Sequence, residues 1–259
     1  MKSLSRRPGV FVEPFAGGAI IGLTVAAENL ADRVILGELD EGVAAVWETI
    51  FSADVDWLVN RIMSMKISRE AVLAVLSETP RSTRDLAFQT LLRNRVQRGG
   101  ILAPGASIVK NGENGKGVAS RWYPQTLAKR IGAIADMKDR MTFIRGDAFV
   151  LIRQFLKRSS AAFFIDPPYT AGGKRAGSRL YKHNELDHER LFDMMSRANG
   201  PAMMTYDESA EVRTLAERYG LRVEFVPMKN THHEVLRELV ITNSGLCLPA
   251  DQMNLFSAV

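Results

Sequence analysis

A short apolar run, Val10-Phe11-Val12, closes on Glu13 and on a turn of small residues, Pro14-Phe15-Ala16-Gly17-Gly18-Ala19. A stretch suited to a helix, Ile20 to Leu30, comes next, and then a second apolar run, Arg33-Val34-Ile35-Leu36-Gly37, ending at Glu38. Strand, tight turn, helix and strand in that order make a βαβ unit, whose two strands lie parallel. This opening constrains the chain more than any other feature. It calls for an open α/β sheet that meets its ligands at the carboxyl ends of its strands.

The rest of the chain extends that sheet around an insertion. From Gly42 to Arg98 apolar residues recur at three- and four-residue spacing (Val43, Val46, Trp47 and Ile50; Trp57, Leu58, Ile62 and Met65; Leu86, Phe88, Leu91 and Leu92), which predicts helices. Ala103 to Ser120 has few large apolar residues and four glycines (105, 112, 115 and 117), which predicts a long mobile loop. Helix resumes from Pro124 to Met137. Thr142-Phe143-Ile144 is a strand running into Arg145-Gly146-Asp147, Ala148 to Lys157 a helix, and Ala161 to Ile165 a third apolar strand. The tail alternates again: helix 187–198, strand 201–205, helix 209–219, then strands near 221–227 and 235–242 suited to an antiparallel pair at a sheet edge. The expected organisation is a core from 1–50 and 141–248, a helical insertion over 51–140, and a flexible tail over 249–259.

Composition excludes several classes. No apolar run approaches the roughly 18 residues that span a bilayer. The basic N-terminus is followed by too short an apolar run for a signal peptide. The single cysteine, Cys247, cannot form an internal disulfide, and no Cys/His spacing suits a metal site. A cytoplasmic protein is expected. Charge is uneven: residues 51–140 hold 15 Lys and Arg against 8 Asp and Glu, and the remainder 19 against 21. The positive excess of the insertion suits a polyanion such as DNA, although charge alone fits a solvated surface equally well.

Two segments bear chemistry. In the first turn, Phe15-Ala16-Gly17-Gly18 lacks the glycine spacing of dinucleotide sites, and Glu13 beside it favours a cationic or amino-bearing ligand over a phosphate. Glu38, at the end of the second strand, suits ribose hydroxyls. The sharper segment is Asp166-Pro167-Pro168-Tyr169, directly after the third strand. Two prolines stiffen the backbone and remove two N–H donors, leaving carbonyls free to accept. A carboxylate, a rigid carbonyl and an aromatic ring at a strand tip suit a planar molecule with an exocyclic amine.

These residues resemble the Dam-like (DPPY-type, alpha-class) DNA adenine-N6 methyltransferases. The resemblance runs from Val10 to about Asn243. It is carried by Phe11–Ala19 (FVEPFAGGA), Glu38 and Asp40 in GELD, Arg145–Phe149 (RGDAF) and DPPY itself, and more loosely by Asn94–Gly100 (NRVQRGG). It implies a Rossmann-like sheet with helices on both faces and a target-recognition insertion. It also implies S-adenosylmethionine (SAM) as methyl donor, with Glu13, Phe15 and Gly17 facing its methionine part, Glu38 its ribose and Asp147 its adenine amino group. Asp166 and the Pro167 carbonyl would then accept N6–H bonds from a flipped adenine stacked on Tyr169. Arg93, Arg95, Gln97 and Arg98, with Lys174 and Arg175 of the loop after DPPY, would contact double-stranded DNA. The implied activity is that of a site-specific adenine-specific DNA methyltransferase of the EC 2.1.1.72 type, such as serves restriction-modification. The family's usual Gly-Gly-Lys-containing segment does not precede Val10. One alternative reading is therefore a DNA-binding protein with weakened catalysis; another, independent of that segment, is a methyltransferase of RNA or of protein glutamine. Near the C-terminus, Gln252, Leu255 and Phe256 resemble the peptide with which bacterial replication proteins dock on the sliding clamp.

Overall fold

The computed structural model describes residues 6–102, 106–112, 115–168, 186–229 and 235–243. Packing divides them into two compact units, one within Met1–Glu38, Arg140–Gly177 and Asn184–Val259, the other within Leu39–Asp139.

The first unit holds a seven-stranded sheet: β1 (Val10–Glu13), β2 (Arg33–Glu38), β3 (Met141–Arg145), β4 (Ala161–Ile165), β5 (Ala202–Asp207), β6 (Arg222–Lys229) and β7 (Val235–Thr242). Their order is β3-β2-β1-β4-β5-β7-β6. Strands β1 to β5 are parallel, with Val12 opposite both Ile35 of β2 and Phe163 of β4. The chain leaves β1 on one side to form β2 and β3, then returns to lay β4 on the other side. This is the doubly wound Rossmann-type order, and β1 and β4 flank its switch point. All four residues of β1 are buried, as are all of β4 except Phe164. Both faces are covered, so the strands read as unbroken apolar runs. The sheet packs Val12, Phe163, Ile165, Met204, Tyr206 and Leu239 into one core with Phe192 and Met195.

Helices α1 (Ile20–Ala27), α7 (Ala148–Phe155), α8 (His188–Ser196) and α9 (Ala210–Arg218) link successive strands. The expected edge pair is present, with one difference in arrangement. The last strand, β7, lies antiparallel between β5 and β6, so β6 forms the edge. Asn243, just past β7, ties this end down: its Oδ1 accepts from Ala202 N at 3.1 Å and its Nδ2 donates to Gly200 O at 2.9 Å.

The second unit is helical, as the apolar periodicity predicts: α2 (Glu41–Ile50), α3 (Val55–Ser64), α4 (Arg69–Ser77), α5 (Thr83–Val96) and α6 (Pro124–Ala135). Asp40, Ser68 and Ser82 cap α2, α4 and α5, each accepting from the first turn and satisfying an orphan backbone donor there. Leu58, Ile62, Phe88, Leu92, Trp122, Leu127 and Ile131 share its core. Helix α2, grouped with the sheet in the sequence reading, packs against α5 in this unit. The expectation of a mobile loop over 103–120 is corrected for its described residues near Ile108 and Val118. Val109 N donates to Val96 O at 2.8 Å and Arg98 N to Ser107 O at 3.1 Å, pairing Gln97 with Ile108. Residues Gly117–Arg121 form a 3-10 turn that buries Val118, followed by buried Trp122. Two well-placed apolar side chains outweigh the glycines. Among the described residues no helix is long and apolar enough to cross a membrane.

Candidate active site

The turn after β1 is built around two carboxylates. Ala16 N donates to Gly37 O at 2.8 Å and Gly17 N to Glu38 Oε2 at 2.9 Å, tying the turn to the end of β2. Gly17 takes a left-handed φ of +48° while a Cβ there would touch nothing within 4 Å. Backbone freedom, not space, therefore calls for glycine. Ala19 is also left-handed, at φ 47°, and gives α1 no side-chain cap. Glu13 supplies one from across the turn, its Oε2 accepting from Gly22 N at 2.7 Å. Gly22 is obligatory for that approach, since a Cβ on it would stand 2.5 Å from the same oxygen.

Glu13 is only 3% exposed. Burial raises its pKa from 4.5 to about 8, the bond from Gly22 opposes the rise, and the charge of Asp166 adds to it. The charge of Asp166 thus reaches Glu13 across the switch point. Between pH 4.5 and 8 the folded protein binds a proton at Glu13 that the unfolded chain has lost, so stability falls as pH rises through that window. Relative to Glu13→Gln, which keeps an acceptor for Gly22, the wild type is expected to lose up to about 1.4 kcal/mol per pH unit there. Thermal unfolding of both proteins from pH 5 to 9 checks this. A difference that does not change with pH refutes it.

Asp166 follows β4 and is exposed, with Pro167 buried and Pro168 half-buried behind it. Thr205 on β5 donates its Oγ1 proton to Asp166 Oδ1 at 2.8 Å. Further in, the Tyr206 hydroxyl lies 2.9 Å from His188 Nδ1. Burial, then the charge of Asp166, pushes the Tyr206 phenol far above its usual range, so it remains a neutral hydrogen-bonding group. Burial likewise raises Glu238, helped by Asp166 and by Asp207, its partner across β5 and β7. Thr205, Tyr206 and Glu238 were missed in the sequence. For Thr205 and Tyr206 the sequence offers only hydroxyl residues near the carboxyl end of a strand, and for Glu238 an acidic residue within an apolar strand.

The remaining cofactor candidates sit at the same end of the sheet. Glu38 closes β2 and its carbonyl accepts from Gly146 N at 3.0 Å. Asp147 caps α7, with Oδ1 accepting from Val150 N at 3.0 Å. Phe15 packs on the sheet core. Glu13, Phe15, Gly17, Glu38, Asp147, Asp166 and Pro167 therefore gather at the carboxyl ends of β1 to β4 and in the segments that follow them. Ligands of open α/β sheets bind at that end, beside the switch point.

In the helical unit the candidates divide. Arg93 donates to Gln89 Oε1 at 3.1 Å, and Gln97 Nε2 to Ala106 O at 3.3 Å, so both serve internal bonds. Arg98 is exposed and Arg95 half-buried. Tyr169, Lys174, Arg175, Gln252, Leu255 and Phe256 lie outside the described residues.

No curated protein matches this chain. Among solved structures, an uncharacterized protein from Listeria monocytogenes serotype 4b is 7% identical over 97% of this chain and 69% of its own, with a TM-score of 0.41. The precorrin-6y C5,15-methyltransferase of Geobacter metallireducens GS-15 is 12% identical over 93% and 82%, at 0.38. These distant likenesses carry no part of the assignment. Residues 2–226, which include the turn after β1, the helical unit and the Asp166-Pro167 tip, match one family. The chain belongs to the D12 class N6 adenine-specific DNA methyltransferases.

Proposed function

We propose that the protein transfers a methyl group from SAM to the N6 amine of an adenine flipped out of double-stranded DNA, in the cytoplasm. The observation that carries this reading is the placement of Glu13 and Asp166 at the carboxyl ends of β1 and β4, the neighbouring parallel strands that flank the switch point. Glu13 also tests the donor. It is a carboxyl group sealed from water, with a single backbone N–H on it and no cationic partner among the described residues. A donor bearing an ammonium and a sulfonium fits that carboxyl, and a phosphate would not. Bound SAM would supply an electrophilic methyl group.

The chain's own residues then do the following. Glu13 and the Gly17 turn would hold the donor's methionine part, Glu38 its ribose hydroxyls, and Asp147 its adenine amine through the oxygen outside the α7 cap. Asp166 would accept one N6–H of the target adenine while Thr205 holds its other oxygen, and the Pro167 carbonyl would accept the second. The N6 lone pair is normally delocalised into the ring. Two acceptors on its hydrogens favour a pyramidal nitrogen whose lone pair is free to react, and Asp166 can carry off the proton released on transfer. The direct test is incubation with tritiated SAM and unmethylated duplex DNA, with RNA and total protein in parallel. The expected product is N6-methyladenine in the duplex. Label in RNA or protein, or none anywhere despite bound SAM, overturns the reading.

A further inference from the structure

We propose that Tyr206 and His188 are positioning residues for methyl transfer, holding the Thr205 hydroxyl where it fixes the Asp166 carboxylate. The proposal deepens the functional reading above and rests on it. Asp166 follows β4, Thr205 and Tyr206 are consecutive on β5, and His188 opens α8. The register of β4 with β5 ends with Ile165 opposite Met204. Strand β5 runs on through Thr205, Tyr206 and Asp207, opposite Val240, Leu239 and Glu238 of β7. The stretch of β5 that carries Thr205 therefore overhangs the paired end of β4, and its placement decides whether the hydroxyl reaches Asp166.

Consecutive side chains of a strand leave on opposite faces. Thr205 accordingly turns its hydroxyl to Asp166, 2.8 Å away, while Tyr206 enters the core at 1% exposure. There its ring packs on Phe192, with centroids 5.4 Å apart, and meets His188 edge-on at 5.6 Å. Its hydroxyl lies 2.9 Å from His188 Nδ1. His188 is a firm anchor. It stands in the first turn of α8, which Asp187 caps by accepting from Arg190 N at 2.9 Å. The Arg190 guanidinium in turn lies 4.4 Å from the centre of the Phe149 ring on α7. A buried hydroxyl is costly to leave unpaired, so the bond between Tyr206 and His188 resists any slide of β5 against α8. Neighbouring residues of one strand move together, and the anchor on Tyr206 thus holds Thr205 as well. Hydrogen bonds weaken steeply away from their best geometry, and a misplaced Asp166 would meet the target N6–H poorly.

The test is steady-state methyl transfer to unmethylated duplex DNA by the full chain, with Y206F, H188A, H188N and the double variant Y206F/H188A, each made alone and beside T205V. Y206F and H188A are each expected to lower kcat about fivefold at unchanged KM for SAM, with the double variant no slower than either. H188N, whose amide can stand in for Nδ1, recovers most of the loss. Beside T205V the same substitutions lower kcat no further, because the hydroxyl through which they act is gone. Thermal unfolding of each preparation accompanies the kinetics. Y206F keeps the ring in the core and H188N keeps a polar group, so the comparison stands even if H188A unfolds. An equal further loss beside T205V overturns the route through Thr205. A lowered Tm with unchanged kcat, or a loss carried by KM, also overturns the proposal, because the pair then serves stability or binding. A wild type that binds SAM but transfers no methyl to the duplex overturns the functional reading and this role together, whereas an active wild type with additive variants overturns this role alone.

Discussion

Asp166→Ala is expected to lower kcat for methyl transfer by about a thousandfold, or about 4 kcal/mol of transition-state stabilisation, while SAM and DNA binding change little. The acceptor it removes matters most when the N6 nitrogen pyramidalises, so the loss falls on kcat and not on KM. Stability should move the other way or not at all. The charge of Asp166 helps push up the pKa values of Glu13, Tyr206 and Glu238, and removing it relieves all three. Thr205→Val provides a graded control. Without the 2.8 Å bond Asp166 loses one positioning contact, and kcat is expected to fall about tenfold at unchanged KM for SAM. Thr205→Ser should restore it. Steady-state kinetics with thermal unfolding of the same preparations reads both effects. A variant at position 166 that keeps near-normal turnover, or one that unfolds, refutes the assignment.

Gly200→Ala is expected to be the most damaging small substitution in the sheet unit. Gly200 is buried in the turn between α8 and β5, where a Cβ would overlap the carbonyl oxygen of Ala161 and lie 2.9 Å from its carbon. Both atoms are backbone at the start of β4, so no side chain can give way. The turn must shift instead, straining the Phe163 N to Pro201 O bond of 2.9 Å and the Asn243 bond to Gly200 O. A loss of about 3 kcal/mol or more follows, a fall in Tm of about 10 °C for a protein this size. The control is Gly132→Ala in α6, where a Cβ would meet nothing within 4 Å. That change should raise stability by about 0.5 to 1 kcal/mol through helix propensity. Equal Tm values for the two variants would refute the packing argument.

Much of the architecture was legible because its signals are local. Strands β1, β2 and β4 read from their apolar runs, and α2, α4, α5 and α9 begin at Asp or Ser residues whose side chains cap the next turn. The segments around Glu13, Glu38, Asp147 and Asp166 each stand at the end of an apolar strand. An α/β sheet brings such ends to one edge whatever the strand order. The sequence therefore determined which residues could share a site.

Which of them touch was decided by tertiary structure. Thr205 meets Asp166 from 39 positions away because β5 lies beside β4, an adjacency no local pattern encodes. Glu13 turns back to cap α1 because Ala19 is left-handed and leaves that helix without a side-chain cap of its own. Helix α2 belongs to the helical unit because its apolar face meets α5, although it directly follows β2 in the chain. Ile108 is ordered by pairing with Gln97, and residues 117–122 by burying Val118 and Trp122. Periodicity and capping act within a turn or two of the chain. Strand order, side-chain direction and the gathering of like charges depend on which surfaces meet once the whole core has closed.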